Sequence, residues 1–403
     1  MNKPQHYARF DALDLAPVIA CEHTATGWRG LTQDGEILNV HMHVNGAPVV
    51  IPESLAMTRD GEIVGYRAIE NEADEGIIAD YVRHLDAATA LVRKNDAAQA
   101  LAEIDVALAC ARTALARYNR AMILLQLGRW QEGFDEFAYC EMTSPLFMRP
   151  QYAAAITAGL KPWLGEDIAG KKLLLIHDHG FGDTIMMLRF VPLLRSMGAD
   201  VVLQVPPELE RLAAQVVPVT RELVDADYVC SILLLMTHEP CRIIWDAPYL
   251  QIDANLQNKW RKHFGDSARK RIGIAWSVGV EHQDDYPRSI PYGQIVNALA
   301  GDGELISVQQ QSRDMLLKVT KFRFEQFQFE DFADCAALMS LLDEIVTVDT
   351  AAVHLAGAIG HPKITLLLSH WASWRWQLPL YQNLRICQQD SAGDWDSAFA
   401  KRN

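Results

Sequence analysis

The feature that most constrains this chain is a rhythm in its second half: a short apolar run, a polar loop, a helix-period segment, then another apolar run. Lys172-Leu173-Leu174-Leu175-Ile176 is continuously apolar after its first residue, the form of a parallel strand buried on both faces. The loop His177-Asp178-His179-Gly180-Phe181-Gly182-Asp183 follows. The spacing predicts a helix over 184–197, with Ile185, Leu188, Val191 and Leu194 on one face and Gly198 ending it. A second strand is expected at 201–205, and Pro207 opens another helix. The scheme restarts near residue 270, with strands expected at 271–276, 305–309, 344–348 and 364–368. Helices are expected over 338–342 and from Asp349 to Ile359, where Gly360-His361-Pro362 intervenes. Two consecutive α/β halves predict two doubly wound domains facing across a cleft.

The first part of the chain has a different character. Residues 1–75 read as β-rich: Asp34-Gly35-Glu36 and Asp60-Gly61-Glu62 offer turns, Val40 to Val44 alternates with period two, and Asn45-Gly46 suits a hairpin. His41 and His43 would share one sheet face, either solvated or ligating a metal. Residues 76–160 read as helical. Ile104, Ala107, Leu108 and Ala111 recur at helical spacing, a helix ends near Gly128, and Trp130 opens the next. Small residues, Ala121 and Gly133, alternate with large ones, which lets two helices approach closely. This stretch looks like a tetratricopeptide repeat, with one clear copy and a weaker one at Ala97–Cys110. A free-standing array takes about three copies, so the helices are expected to brace a neighbour or to recognise a protein.

Composition narrows the function classes. Half of the 403 residues are hydrophobic, enough for real cores, and the formal charge of −14 disfavours a non-specific nucleic-acid binder. The longest apolar runs, such as 232–236 and 364–368, read as buried strands rather than membrane spans. The N-terminus lacks the basic-then-apolar pattern of a secretory signal. The seven cysteines are widely spaced with no CxxC, so reduced thiols are expected rather than a zinc ribbon or a disulfide framework. A cytoplasmic protein without a transmembrane segment is the expectation.

Four loops could carry chemistry. In Gly180-Phe181-Gly182-Asp183-Thr184, two glycines between a strand and a helix permit close approach of a ligand to the backbone. Asp183 there could cap the helix or accept a proton from an incoming hydroxyl. The segment is neither a Walker loop nor a complete GxGxxG, and no acidic ribose partner accompanies it, which disfavours a nicotinamide-dependent enzyme. In the second loop, Val348-Asp349-Thr350-Ala351-Ala352-Val353-His354, a strand runs directly into a helix of small residues. Asp349 or Thr350 could cap it, and the amides of Thr350, Ala351 and Ala352 would suit a diphosphate. His354, one turn on, could donate to a phosphate or be a buried structural residue. The third loop follows Trp276-Ser277-Val278-Gly279 and contains Asp284-Asp285 and Arg288. Arg288 could neutralise a departing diphosphate, while the acidic doublet is more simply solvated than a metal pair. Fourth, Trp371-Ala372-Ser373-Trp374-Arg375-Trp376 could pack structurally or close a pocket.

Taken together, the pieces resemble the bacterial tetratricopeptide-repeat proteins whose C-terminal domain is like the heptosyltransferases, glycosyltransferase family 9. The resemblance is carried, in order, by Trp163-Leu164-Gly165-Glu166, His179-Gly180-Phe181-Gly182-Asp183-Thr184-Ile185, Gly273-Ile274-Ala275-Trp276-Ser277, Arg288-Ser289-Ile290-Pro291, Val348-Asp349-Thr350-Ala351-Ala352-Val353-His354-Leu355-Ala356-Gly357-Ala358, Trp374-Arg375-Trp376 and Gly393-Asp394-Trp395. It covers about 120 to 395.

The resemblance implies an α/β fold of GT-B type, a pair of Rossmann-like domains. These would span 161–268 for the acceptor and 269–403 for the sugar nucleotide, preceded by the helical segment 76–160 and the β-rich region 1–75. It implies an inverting, metal-independent glycosyltransferase that needs no cofactor, with a nucleotide-diphosphate sugar as donor and a glycan or protein hydroxyl as acceptor. The alternative is a binding or scaffold protein that keeps the fold without turnover. Asp183 matches the family's general base. Asp349, Thr350, Ala351 and His354 match its diphosphate-binding helix start, and Arg288 falls near the basic residue facing the diphosphate. Gly180, Gly182, Trp276, Ser277 and Gln309 complete the expected substrate-binding set. Asp178-His179 stands where these relatives carry Glu-Gln, so acidity is kept at 178 and an amide becomes an imidazole. The helical segment suggests a homo-oligomer or a protein partner.

Overall fold

The computed structural model describes residues 18–24, 27–32, 37–40, 42–44, 47–49, 54–59, 62–68, 73–144, 147–238, 241, 248–265, 269–278, 288–309 and 329–402. His41, the turns at Asp34-Gly35, Asn45-Gly46 and Asp60-Gly61, and the doublet Asp284-Asp285 lie outside what is described, so the face shared by His41 and His43 does too. The chain divides into two compact units, Met1–Met148 and Arg149–Asn403.

In the first unit, short antiparallel strands precede four helices. Val18–Thr24 pairs with Gly27–Thr32, which pairs with Ile37–Val40; Met42–Val44 pairs with Ala47–Val49, and Ser54–Arg59 with Glu62–Ala68. The helices Ala73–Arg93, Ala97–Cys110, Ala114–Gln126 and Trp130–Thr143 pack in sequence, each on the next. Asn95 and Gly128 adopt positive φ in the turns that separate them. Asp96 and Thr113 cap the second and third helices with their side chains. The Thr113 hydroxyl also meets that of Tyr81 at 2.7 Å, so a cap is buried with its hydrogen bonds satisfied. Tyr81, Ala88, Ala100, Ile104 and Ala107 form the core of the first pair. A Cβ on Gly133 would stand 2.7 Å from Leu125, so the last two helices do approach where the small residue allows.

The second unit holds two five-stranded sheets, both wholly parallel. From edge to edge the first runs Val219–Thr220, Asp200–Gln204, Lys172–Ile176, Tyr228–Ser231, Lys161–Pro162. The second runs Glu304–Ser307, Arg271–Ala275, Glu344–Val348, Ile364–Leu368, Leu384–Gln388. The central strands Glu344–Val348 and Ile364–Leu368 are buried along their whole length, as a sheet covered on both faces requires. Strand order reverses in each sheet: between Lys172–Ile176 and Tyr228–Ser231 in the first, and between Arg271–Ala275 and Glu344–Val348 in the second. The crevice beyond the carboxyl ends at such a reversal is where open α/β sheets bind ligands.

Three expectations of secondary structure need correction. The run 232–236 is not a strand: Ile232–Thr237 is a 3-10 helix, all but its last residue buried, because the strand already ends at Ser231 and a short apolar run does not itself distinguish strand from helix. The helix expected over 184–197 is three pieces, Phe181–Met187, the 3-10 turn Leu188–Phe190 and Val191–Ser196, with Pro192 near the start of the last. The helix expected at 338–342 is Phe332–Met339, started by an Asp331 cap. Pro150–Thr157, grouped above with the helical segment, belongs to the second unit.

The two halves of the second unit are tied together. Tyr249 and Leu250 both donate their amides to the Ala358 carbonyl, at 3.0 and 3.1 Å, at the carboxyl end of the helix Ala351–Ala358. Arg211 pairs with Asp331 and Glu330. Buried Arg189 donates to the Leu380 carbonyl at 3.2 Å.

Candidate active site

The site is built where the carboxyl end of each sheet meets the other. Beyond Lys172–Ile176 the chain turns at His177–Gly180 and starts the helix Phe181–Met187. Gly180 occupies the cap position and offers no side chain, so Asp183, in the first turn, is not the cap. Its carboxylate instead reaches the other half: Arg375 donates Nε to Oδ1 at 2.8 Å, with Nη2 2.6 Å from the same oxygen. Burial works against the charged carboxylate. The Arg375 guanidinium, with His179 and His354 beside it, outweighs that and holds Asp183 below the usual range. About 18% of the Asp183 side chain stays exposed, so a ligand can reach it.

Gly182 sets the distance between the halves. A Cβ there would stand 2.8 Å from Cδ2 of His354 and 3.3 Å from Cα of Ala351. The loop backbone thus lies directly on the start of the helix Ala351–Ala358. Gly180 is looser, with only Asp183 Oδ2 near its missing Cβ, at 3.5 Å.

The helix Ala351–Ala358 follows the buried strand Glu344–Val348 at the reversal point. Thr350, not Asp349, is its cap: Oγ1 accepts from the Ala352 amide at 3.3 Å and lies 3.2 Å from the Thr347 hydroxyl. Of the three amides expected to face a diphosphate, Ala352 is therefore taken by the cap. Among the described residues, those of Thr350 and Ala351 have no acceptor. Asp349 is buried and faces Arg288, Oδ2 to Nη1 at 3.6 Å.

His354 is buried one turn into this helix. Its Nδ1 lies 2.9 Å from the Tyr381 hydroxyl and its ring stacks on Trp376 at 5.2 Å. Burial lowers its pKa to about 4, against the opposing pull of Asp349 and Asp183, so the imidazole is neutral at physiological pH. A neutral ring donates from one nitrogen only, and the Tyr381 contact fixes one end. The indole Nε1 of Trp376, also buried, finds no acceptor among the described residues.

The remaining expected residues form a separate group. Gln309 Oε1 accepts the amides of Trp276 at 2.7 Å and Ser277 at 3.1 Å, beyond the strand Arg271–Ala275. Trp276 packs on Tyr292 and the Ser277 hydroxyl donates to the Val278 carbonyl. Gln309 thus ties the segment after Glu304–Ser307 to the one after Arg271–Ala275. The structure brings Asp183, Gly180 and Gly182 together with Ala351 and His354, and Arg288 with Asp349; Trp276, Ser277 and Gln309 line the adjacent strand end. At the reversal of the first sheet, Ser231 donates to Asp178 at 2.8 Å, and the His179 Nε2 lies 3.8 Å from the same carboxylate oxygen.

The sequence reading missed the partner of Asp183. In the sequence Arg375 stands out only as an arginine among three tryptophans. Its guanidinium stacks on Trp374 at 4.6 Å. Tyr381, Tyr249 and Arg189, which back His354, carried no local signal. Among the described residues no group of three or more His, Cys, Asp or Glu could hold a metal ion.

No family model matches the chain. It is 23% identical over 332 residues to Protein FlbA of Caulobacter vibrioides, a match covering 72% of this chain and 54% of that protein. The chain therefore spans about half the length of the curated relative it matches. Among solved structures it is similar to the E. coli ADP-heptose lipopolysaccharide heptosyltransferase II, at 14% identity and TM-score 0.40, covering 58% of this chain and 97% of that one. A second E. coli heptosyltransferase, WaaC with ADP-2-deoxy-2-fluoro heptose, gives 11% identity and TM-score 0.39 over 57% of this chain and 98% of that one. The glycosyl transferase family 9 protein from Veillonella parvula gives 11% and 0.37 over 56% and 87%. No helix among the described residues is long and apolar enough to cross a membrane.

Chemically, the site offers a carboxylate that can take a proton, two open helix-start amides, a neutral imidazole, and two arginines, each set against a carboxylate. That set suits transfer to a hydroxyl with departure of an anionic group.

Proposed function

We propose that this chain is a glycosyltransferase of GT-B type that moves a sugar from a nucleotide-diphosphate donor to a hydroxyl of a glycan or protein, with inversion and without a metal. One observation carries the reading: Gly182 places the Asp183 loop of one half directly on the helix start Thr350–Ala351 of the other, at a strand-order reversal. A base and an anion-binding helix end are thereby brought side by side.

The Asp183 carboxylate accepts the proton of the acceptor hydroxyl as its oxygen bonds to the anomeric carbon. The bond from that carbon to the diphosphate oxygen breaks, and its electron pair leaves with the diphosphate. The Thr350 and Ala351 amides, the positive end of the helix dipole and a hydrogen bond from His354 take up that charge. Arg288, held by Asp349, adds a cation nearby. Attack from the face opposite the leaving group inverts the anomeric centre. The helices of the first unit are proposed to serve protein recognition or association.

The test is diphosphate release from ADP-, GDP-, UDP- and dTDP-linked sugars by the intact chain and by Asp183→Ala. Release from one donor, lost in the variant, supports the reading. No release, together with no shift in melting temperature with any donor, would overturn it. The ion pair from Arg375 to Asp183 favours a second reading, a binding protein whose would-be base is permanently occupied. That reading predicts donor binding without turnover.

A further inference from the structure

Arg375 sits on the half proposed to hold the donor, yet its fork is spent on a carboxylate of the other half. The pair is not a rigid strut. Both side chains keep about a fifth of their surface exposed, and Arg375 is steadied from its own side by the Trp374 ring and by a 3.2 Å contact from Nη1 to the Ser373 hydroxyl. The guanidinium therefore keeps packing and a hydrogen bond if Asp183 is withdrawn. The same half carries other donors suited to an anion: the open Thr350 and Ala351 amides, and the buried Trp376 Nε1 without an acceptor among the described residues. Asp183 follows Gly182, whose backbone lies on that helix start.

We propose that Asp183 stands in for the donor's diphosphate before donor binds, and that Arg375 transfers from Asp183 to the nucleoside diphosphate when it does. The inference rests on the donor reading above and adds a coupling to it. An aspartate held in an arginine fork is a weak base, because its charge is already compensated. Moving the arginine to the diphosphate does two things at once: it places a cation on the leaving group and returns basicity to the group that must take the acceptor's proton. The site then becomes competent only after donor has bound, which orders the substrates. The apparent conflict between a catalytic base and a locked ion pair becomes a binding sequence.

Calorimetric binding of ADP, GDP, UDP and dTDP to the intact chain tests this, with Arg375→Gln, Arg375→Lys and Asp183→Asn compared with wild type. We expect one nucleoside diphosphate to bind wild type. Arg375→Gln should weaken it by about ten- to a hundredfold, the range for a lost charge-assisted hydrogen bond pair, with Arg375→Lys in between. Asp183→Asn removes the competitor and should tighten binding several-fold while abolishing turnover. Equal affinity in wild type, Arg375→Gln and Asp183→Asn would overturn the transfer and leave the donor reading standing. Absence of any binding by wild type would overturn both. If Arg375→Gln does not fold, the direction of change in Asp183→Asn decides: tighter binding supports the transfer, and unchanged or weaker binding overturns it.

Discussion

The Nδ1 of His354 lies 2.9 Å from the hydroxyl of Tyr381, and both residues are buried. The imidazole therefore titrates far below its ordinary range, to about 4, with burial as the main cause. The unfolded chain, with a histidine pKa near 6.5, binds this proton more tightly than the folded one. Stability is thus complete above about 6.5 and is lost as pH falls toward about 4. Half-buried His177, also lowered to about 4 mainly by desolvation, adds to the same window. Urea midpoints at pH 7 and pH 5 should differ in wild type, and the difference should shrink in His354→Asn.

Tyr381 is itself held by a glycine. A Cβ on Gly357 would stand 2.2 Å from the Tyr381 ring, which has no room to retreat. Gly357→Ala should cost about 1–3 kcal/mol, as overpacking of a core does. Gly293→Ala is the control: nothing lies within 4 Å of its added Cβ, and a helical alanine there should be neutral or stabilising. Thermal melts of the two variants separate packing from the general effect of removing a glycine.

Gly182→Ala should act on function more than on the core. Its Cβ meets His354 Cδ2 at 2.8 Å and backbone at Ala351, so the two helix starts must separate. A displacement of about 1 Å between reacting groups can cost on the order of a hundredfold in rate. Diphosphate release should fall steeply in Gly182→Ala and less in Gly180→Ala, where the nearest atom is 3.5 Å away.

Gln309 is expected to matter as a structural acceptor. Gln309→Leu leaves the amides of Trp276 and Ser277 without their partner and should destabilise the second unit by about 1–3 kcal/mol. Gln309→Glu keeps the accepting oxygens and should retain most of the stability. Chemical unfolding of both variants checks this; equal losses would argue against the acceptor role.

Most of the α/β architecture was legible because buried parallel strands announce themselves as apolar runs. The strands at 172–176, 344–348 and 364–368 have the expected bounds, and those at 200–204, 271–275 and 304–307 differ by one or two residues. What failed had physical causes. The run 232–236 carried the apolar signal of a strand without a free place in the ladder, and the 184–197 segment concealed a 3-10 turn that only the packing reveals. At the site, placement was readable: Asp183 and the Thr350 helix start stand beyond strand ends, and His354 one turn into the helix. The pairing of Asp183 with Arg375 joins residues far apart in the chain, and no local pattern encodes it. Nor does any pattern say that Thr350 would outcompete Asp349 for the cap, since Asp349 is drawn toward Arg288 instead.

The helix Ala351–Ala358 is gripped at its far end by the amides of Tyr249 and Leu250. In mechanical terms it is a short lever with its fulcrum in the chain that leaves the first half. At 1.5 Å per residue it is about 12 Å long, so a turn of about 10° at the fulcrum sweeps its open end through roughly 2 Å. That travel is comparable to the length of a hydrogen bond. Small rotations between the halves would therefore be registered first, and most strongly, at Thr350 and Ala351.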